Sequence, residues 1–289
     1  MRFAMWLTLA SLIIALGCGG GGGLSTGPQT VSLAYKDAGG EYVQYKASTS
    51  ITYNVGGTIR QSLHDITYSV RVDSIYEDGT IDRRLKFDDF VMGELSGSRL
   101  ELDPDAEKYR GEALYLKIGP DGELLDSQGL DGIRGYTVSE KNLKDDIIQM
   151  MAEFFQPLSD EDVGVGSTFQ RVVEIPVRRP GGDIDFSITI DYKVEGFGKK
   201  DGRSCVKMKT ESLIEAEGEG ERGGGRKYWV ALTGDGDGEF WFDYENGIAV
   251  ESSGKATITS DFSYERAGKE DVATQFATID VETKTKIIE

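Results

Sequence analysis

His64 is the one imidazole among 289 residues, and an imidazole is the usual general base near neutral pH. It stands in phase with Ile66 and Tyr68, so an inward position near a strand end is expected. No Ser or Asp partner motif surrounds it, and it reads as structural. Cys205 opens a strand out of phase with Val206 and Met208. A nucleophilic thiolate needs a basic neighbourhood; Arg203 and Lys207 supply little of one, so a free, partly buried thiol is expected. Thr233 to Glu239 (TGDGDGE) offers the Asp-x-Asp oxygens of a calcium loop, but Phe240 and Trp241 fill the later ligand positions. It reads as an acidic turn, and Glu101 to Asp105 as a second acidic cluster. Among 50 acids, a carboxylate pair for glycoside hydrolysis does not stand apart from solubilising charge. One His and two Cys make neither a metal cluster nor a disulfide framework. No cofactor and no catalytic constellation is expected, and the chain reads as a non-enzyme.

The aromatic residues are the other chemically informative set. Tyr45, Tyr53, Tyr68, Phe87, Phe186 and Tyr192 fall on the apolar phase of their strands, as do Tyr228, Phe240, Phe262 and Phe276. Such rings fill a core. A curved one-sided sheet can also leave part of its concave face for a ligand. The first six are therefore the candidate ligand-binding residues, for an apolar or lipid ligand.

Period-2 alternation organises the chain. The cleanest run is Ile184, Phe186, Ile188, Ile190, Tyr192 and Val194, with polar residues between. Others are Tyr45–Val55, Ile66–Val72, Ile81-Arg83-Leu85-Phe87, Val206–Thr210, Tyr228–Leu232, Ala256–Tyr264 and Val272-Thr274-Phe276-Thr278. Asn54-Val55-Gly56-Gly57, Asp78-Gly79, Asp201-Gly202 and Asn246-Gly247 supply turn residues. Gly164 to Phe169 lacks the Lys and spacing of a phosphate loop and reads as the turn that launches a strand. Glu215 to Gly225 (EAEGEGERGGG) reads as a mobile hairpin tip.

One segment departs from this pattern. Leu143, Ile147, Met150, Met151 and Phe154 recur at helical spacing within Ser139–Gln156, with Ser139 as N-cap and Pro157 as the stop. The hairpin from Tyr68 through Asp78-Gly79 to Phe87 resembles the one from Tyr192 through Asp201-Gly202 to Thr210. The expected fold is mainly β: two similar antiparallel β-meander or half-barrel lobes, 30–138 and 157–289, joined by an amphipathic helix at 139–156.

Residues 3–16 form an apolar run of the length of a secretory h-region, short of the ~20 residues of a membrane-spanning helix. Ala15-Leu16-Gly17-Cys18 follows it and resembles the lipobox of bacterial lipoproteins, with the residue types at Ala15 and Leu16 exchanged. The resemblance implies lipidation of Cys18 after removal of a signal peptide, residues 1–17. Residues 18–29 would then be the lipidated Cys and a flexible Gly-rich tether. The chain is expected at the cell envelope, bound to membrane through its N-terminal lipid. Gly19, in place of Asp, implies the outer membrane in a host with two membranes. The formal charge of −18 excludes the basic face that nucleic acid requires. A lipid or an envelope protein is the expected partner.

The hairpin-rich first half, the helix, and the segment from Pro157-Leu158 to Asp162-Val163-Gly164-Val165-Gly166 resemble a group of bacterial lipoproteins of duplicated all-β architecture. The layout is more distantly similar to lipoprotein-carrier (LolA/LolB-like) half-barrels, whose curved antiparallel sheets hold acyl chains. That similarity implies an apolar ligand on a concave β face. The other readings are a structural or surface spacer, or a protein-interaction lipoprotein. A carboxylate-dependent envelope hydrolase comes last.

Overall fold

The computed structural model describes residues 30–36, 40–96, 99–102, 106–119, 124–130, 159, 161–179, 182–222, 226–265 and 272–288. The expected signal peptide and tether, Cys18 with them, and the expected helix at Ser139–Gln156 lie outside the described residues. The described elements are β1 (Val43–Val55), β2 (Thr58–Ile75), β3 (Ile81–Ser96), β4 (Arg99–Leu102), a 3-10 turn (Ala106–Tyr109), β5 (Ala113–Ile118) and β6 (Leu124–Gly129). They continue with β7 (Thr168–Arg179), β8 (Gly182–Lys200), β9 (Arg203–Arg222), β10 (Arg226–Asp243), β11 (Ile248–Glu265) and β12 (Val272–Ile287).

Short turns between alternating strands leave each strand no partner nearer than its sequence neighbour, and antiparallel meanders follow. The turn residues do what their types permit. Gly56 and Gly57 take positive φ between β1 and β2, and Asp201-Gly202 does the same between β8 and β9. All the described strands join one sheet, in the order β6-β5-β3-β2-β1-β12-β11-β10-β9-β8-β7, with β4 on β3. The two expected lobes are therefore halves of one continuous antiparallel sheet. Their junction is the pairing of β1 with β12, from Tyr45 opposite Ile287 to Val55 opposite Ala277.

Alternation puts the apolar residues on one face. Two clusters occupy it. One, on β1, β2, β3 and β5, includes Tyr45, Tyr68, Leu85 and Phe87. The other, mainly on β8 to β12, includes Tyr53, Phe186, Ile188, Tyr192 and Met208. A bulge tunes the first: Asp88 has no residue opposite it on β2, so the strand changes phase and both Phe87 and Phe90 point inward.

Three expectations from the sequence are corrected. Phe276 is 67% exposed. On β12 the inward phase belongs to Ala273, Ile279, Val281, Thr283 and Thr285, fixed by pairing with β1 and β11, and Phe276 falls on the opposite face. Thr233–Glu239 is the middle of β10 and not a turn. Its Gly-Asp alternation is a strand pattern, with Gly236 and Gly238 buried and Asp235 and Asp237 exposed. Glu215–Arg222 likewise continues β9, with glutamates outward and Ala216 buried.

Candidate functional site

Residues 31–36 alternate like a strand, with Val31 and Leu33 buried, but join no strand of the sheet. They form a strap along its inner face. Val31 and Val163 exchange backbone hydrogen bonds of 2.9 and 2.8 Å at one end. At the other, the Lys36 ammonium donates to the carbonyls of Tyr244 (2.9 Å) and Glu245 (3.0 Å) in the turn after β10. Asp243 shapes that turn, accepting from the backbone amides of Glu245 and Asn246 at 3.0 Å each and from Asn246 Nδ2 at 2.7 Å.

Tyr35, inside the strap, packs against both apolar clusters. Its ring lies under the Arg83 guanidinium, with Cζ 4.3 Å from the ring centroid, and meets Phe242 edge-on at 5.6 Å. Its phenol is also within electrostatic reach of Tyr45, Tyr68 and Tyr192. Arg83 is on β3 and Tyr192 on β8, seven strand spacings apart along the sheet, or about 34 Å if it were flat. One tyrosine reaches both because the sheet curls around it.

Arg83 is 1% exposed. It occupies the inward phase of β3 with Leu85 and Phe87, opposite Val72 on β2 and Leu116 on β5. Burial pulls its pKa down to about 10, offset in part by the Tyr35 and Tyr45 phenols. A guanidinium over a ring face gains cation–π attraction, which is stronger away from water. The phenols of Tyr35, Tyr45, Tyr68 and Tyr192 are all pushed up, in each case chiefly by burial. At neutral pH they are hydroxyl donors and not phenolates. Tyr45 and Tyr68 stack at 5.4 Å, and Tyr192 stacks on Phe169 at 4.6 Å. The ensemble is a cation and four neutral phenols inside apolar walls. Among the described residues it contains no base.

Of the six candidate residues, Tyr45 and Tyr68 stack on each other, and both, like Tyr192, lie within electrostatic reach of Tyr35. Tyr53, Phe87 and Phe186 are inward but belong to other parts of the two cores. The Tyr53 phenol, next to Ser62, is raised to about 12, mainly by burial. Phe87 is sealed between Phe90 and Tyr109, at 5.6 and 6.4 Å. Tyr35 and Arg83 were not among the candidates. The signal for Arg83 was legible: a charged residue in the apolar phase of the Ile81-Arg83-Leu85-Phe87 strand.

His64 is buried on the inner face, and burial lowers its pKa to about 4, so it is neutral. Cys205 is fully buried on the outer face with Trp241 and Val250, and its thiol is pushed up to about 12, mainly by burial. Among the described residues no group of three or more His, Cys, Asp or Glu is arranged to hold a metal, and no helix is long and apolar enough to cross a membrane.

No family model matches this chain, and no curated protein matches it. A solved structure described as "Asymmetric conductivity of engineered proteins" is similar at 8% identity, over 85% of this chain and 99% of its own, with a TM-score of 0.20. That score carries no argument about fold or function.

Proposed function

We propose that this protein is a non-catalytic lipoprotein of the cell envelope, anchored through Cys18, whose inner sheet face binds an apolar or lipid ligand. The observation that carries this reading is the gathering of Tyr45, Tyr68 and Tyr192 around Tyr35, whose ring lies under Arg83, within two apolar clusters. Four phenols and a guanidinium are a costly way to fill a core, because each polar group must be satisfied away from water. They are useful where a mainly apolar ligand needs a few polar contacts to orient it. The finer architecture belongs to the same reading: two copies of a common unit with Ser139–Gln156 as connecting helix. Tyr68 opposite Phe87 and Tyr192 opposite Thr210 occupy matching places in their hairpins, which supports the duplication.

The test is native mass spectrometry of the whole chain, extracted gently from its host. A reproducible adduct that partitions into organic solvent supports ligand binding; a bare mass refutes it. The anchor is tested separately by incorporation of labelled palmitate, which Cys18→Ser abolishes if Cys18 is the lipidated residue. The second reading is a protein-interaction lipoprotein. It is favoured by β6 and β7, each hydrogen-bonded on one side only among the described strands, since such edges can accept a partner strand.

A further inference from the structure

The outer face of β8 to β11 carries its charges differently at its two ends. Near the β8–β9 turn they pair. Lys207 lies between Glu195 (2.9 Å) and Glu239 (2.7 Å), and Lys200 meets Glu251 at 3.1 Å. Both ammonium groups face the ring of Trp241 on β10, 5.9 and 5.4 Å from its centroid. Towards the far end of the same strands, Glu215, Glu217 and Glu219 take every second position of β9, all exposed. The register puts no basic residue opposite any of them: Glu215 lies between Ser187 and Thr233, Glu217 between Asp185 and Ala231, and Glu219 between Asp183 and Trp229. Like charges directly opposed weaken a sheet, so folding by itself does not account for this pattern. Trp229 is 37% exposed. With Glu217, Glu219 and Asp261 it lines a cavity of about 910 Å³.

We propose that this end of the outer face docks an extended basic segment of a partner protein, whose lysines or arginines pair with Glu215, Glu217 and Glu219 and cover the Trp229 ring. Trp241 shows on the same strand what such a ring takes: two lysines, each held by glutamates. At Trp229 the ring and the glutamates are present, and among the described residues no lysine or arginine lies over the ring. A cation from outside completes the same arrangement, through charge complementarity and cation–π attraction. Spacing supports an extended partner. Alternate residues of a strand repeat at about 6.6 Å, so a chain with a basic residue at every second position matches the glutamates of β9 one for one. The net charge of −18 steers a basic partner towards the chain. This face lies on the opposite side of the sheet from the inner face, and its binding stands or falls separately from the ligand reading.

The test is fluorescence anisotropy of a dye-labelled (Lys-Thr)4 peptide titrated with the full chain. Saturable binding is expected. Replacing Glu217 and Glu219 together by Gln should weaken it about fivefold, the loss of two exposed ion pairs. Replacing Glu94 and Glu101 by Gln, exposed on β3 and β4, removes the same charge elsewhere and should change it by less than about twofold. Trp229→Ala changes no charge and should weaken binding about threefold through the lost ring. Equal weakening by the two double variants means that the peptide follows overall charge, and overturns the proposal. So does unchanged affinity in Trp229→Ala, or no binding to the native chain. If Trp229→Ala does not fold, the two double variants decide, because each keeps the size of its side chains on an exposed face.

Discussion

On β2, β3 and β5 the inner face is filled by large side chains, the rings Tyr68, Phe87 and Phe90 and the aliphatic Leu114, Leu116 and Ile118, whereas on β9 to β11 much of it is small. Phe87, Phe90 and Tyr109 meet one another at 4.9–6.4 Å, the last delivered by the 3-10 turn. Across the junction, the inward positions of β9, β10 and β11 include Ala216, Gly236, Gly238, Gly254 and Ala256, all buried. The first half closes its core with its own side chains. The second half is a broad face, and the strap at residues 31–36 lies along it. The Tyr35–Arg83 centre sits between the two regimes, with the closed core supplying the cation and the broad face supplying Tyr192.

The largest expected effect tests the closed half. Phe87→Ala removes a fully buried ring that has rings on two sides, and should cost about 3–5 kcal/mol in urea unfolding. Phe186→Ala, opposite Ala216 on the broad face, should cost less, because small neighbours lose fewer contacts. Equal losses, or a larger loss at Phe186, would remove the distinction between the halves.

The junction itself is polar. His64 lies opposite Thr49 on β1, and Thr49 opposite Thr283 on β12, with the two threonine hydroxyls 3.1 Å apart. Burial holds the folded-state pKa of His64 at about 4, against an ordinary value of 6.5. Below pH 6.5 the unfolded chain takes up a proton that the folded chain refuses, so stability falls as pH drops from 6.5 towards 4. Between pH 7.5 and pH 5 the loss from this residue should be about 2 kcal/mol. His64→Asn should lack that component, read as the difference in urea midpoints between the two proteins at each pH. Parallel pH profiles would place His64 in a solvated site.

Strands and turns were legible in the sequence because period-2 alternation and turn glycines are local signals. What failed locally was phase and composition. Val272, Thr274 and Phe276 alternate convincingly, yet the neighbouring strands assign the inward phase to Ala273 and Ile279. The acidic glycine runs looked like turns because glycine is usually read as a turn residue, although Gly-Asp alternation is also a strand with a bare inner face. Arg83 was visible as a charge in an apolar phase. Its meeting with Tyr35 was not, because it depends on how the strap lies across the whole sheet, and neither hairpin encodes that by itself.

The broad face also predicts a cost for enlarging it. A Cβ at Gly236 would sit 2.8 Å from the Lys255 carbonyl oxygen and 3.0 Å from the Ala256 Cβ. Gly236→Ala should therefore destabilise by about 1–2 kcal/mol through overpacking, despite the lower entropy cost of ordering alanine. A neutral or stabilising result in thermal unfolding would mean that β10 and β11 can separate locally, and that the broad face is softer than its register implies.

The smallest effect belongs to the outer face, where the same comparison separates ion pairs by burial. Lys255 meets Glu282 at 2.7 Å with both side chains more than half exposed. Lys207 is held between Glu195 (2.9 Å) and Glu239 (2.7 Å), over the buried ring of Trp241 at 5.9 Å. Water and salt screen the first pair, so Lys255→Ala should cost below about 0.5 kcal/mol and lose even that in high salt. Lys207→Ala should cost more and keep most of its effect in salt, because its aliphatic stem covers Trp241 as well as placing a charge. Urea titrations of both variants at low and high ionic strength separate the cases. A Lys207→Ala loss that vanishes in salt would make that contact purely electrostatic and leave the Trp241 cover to other side chains.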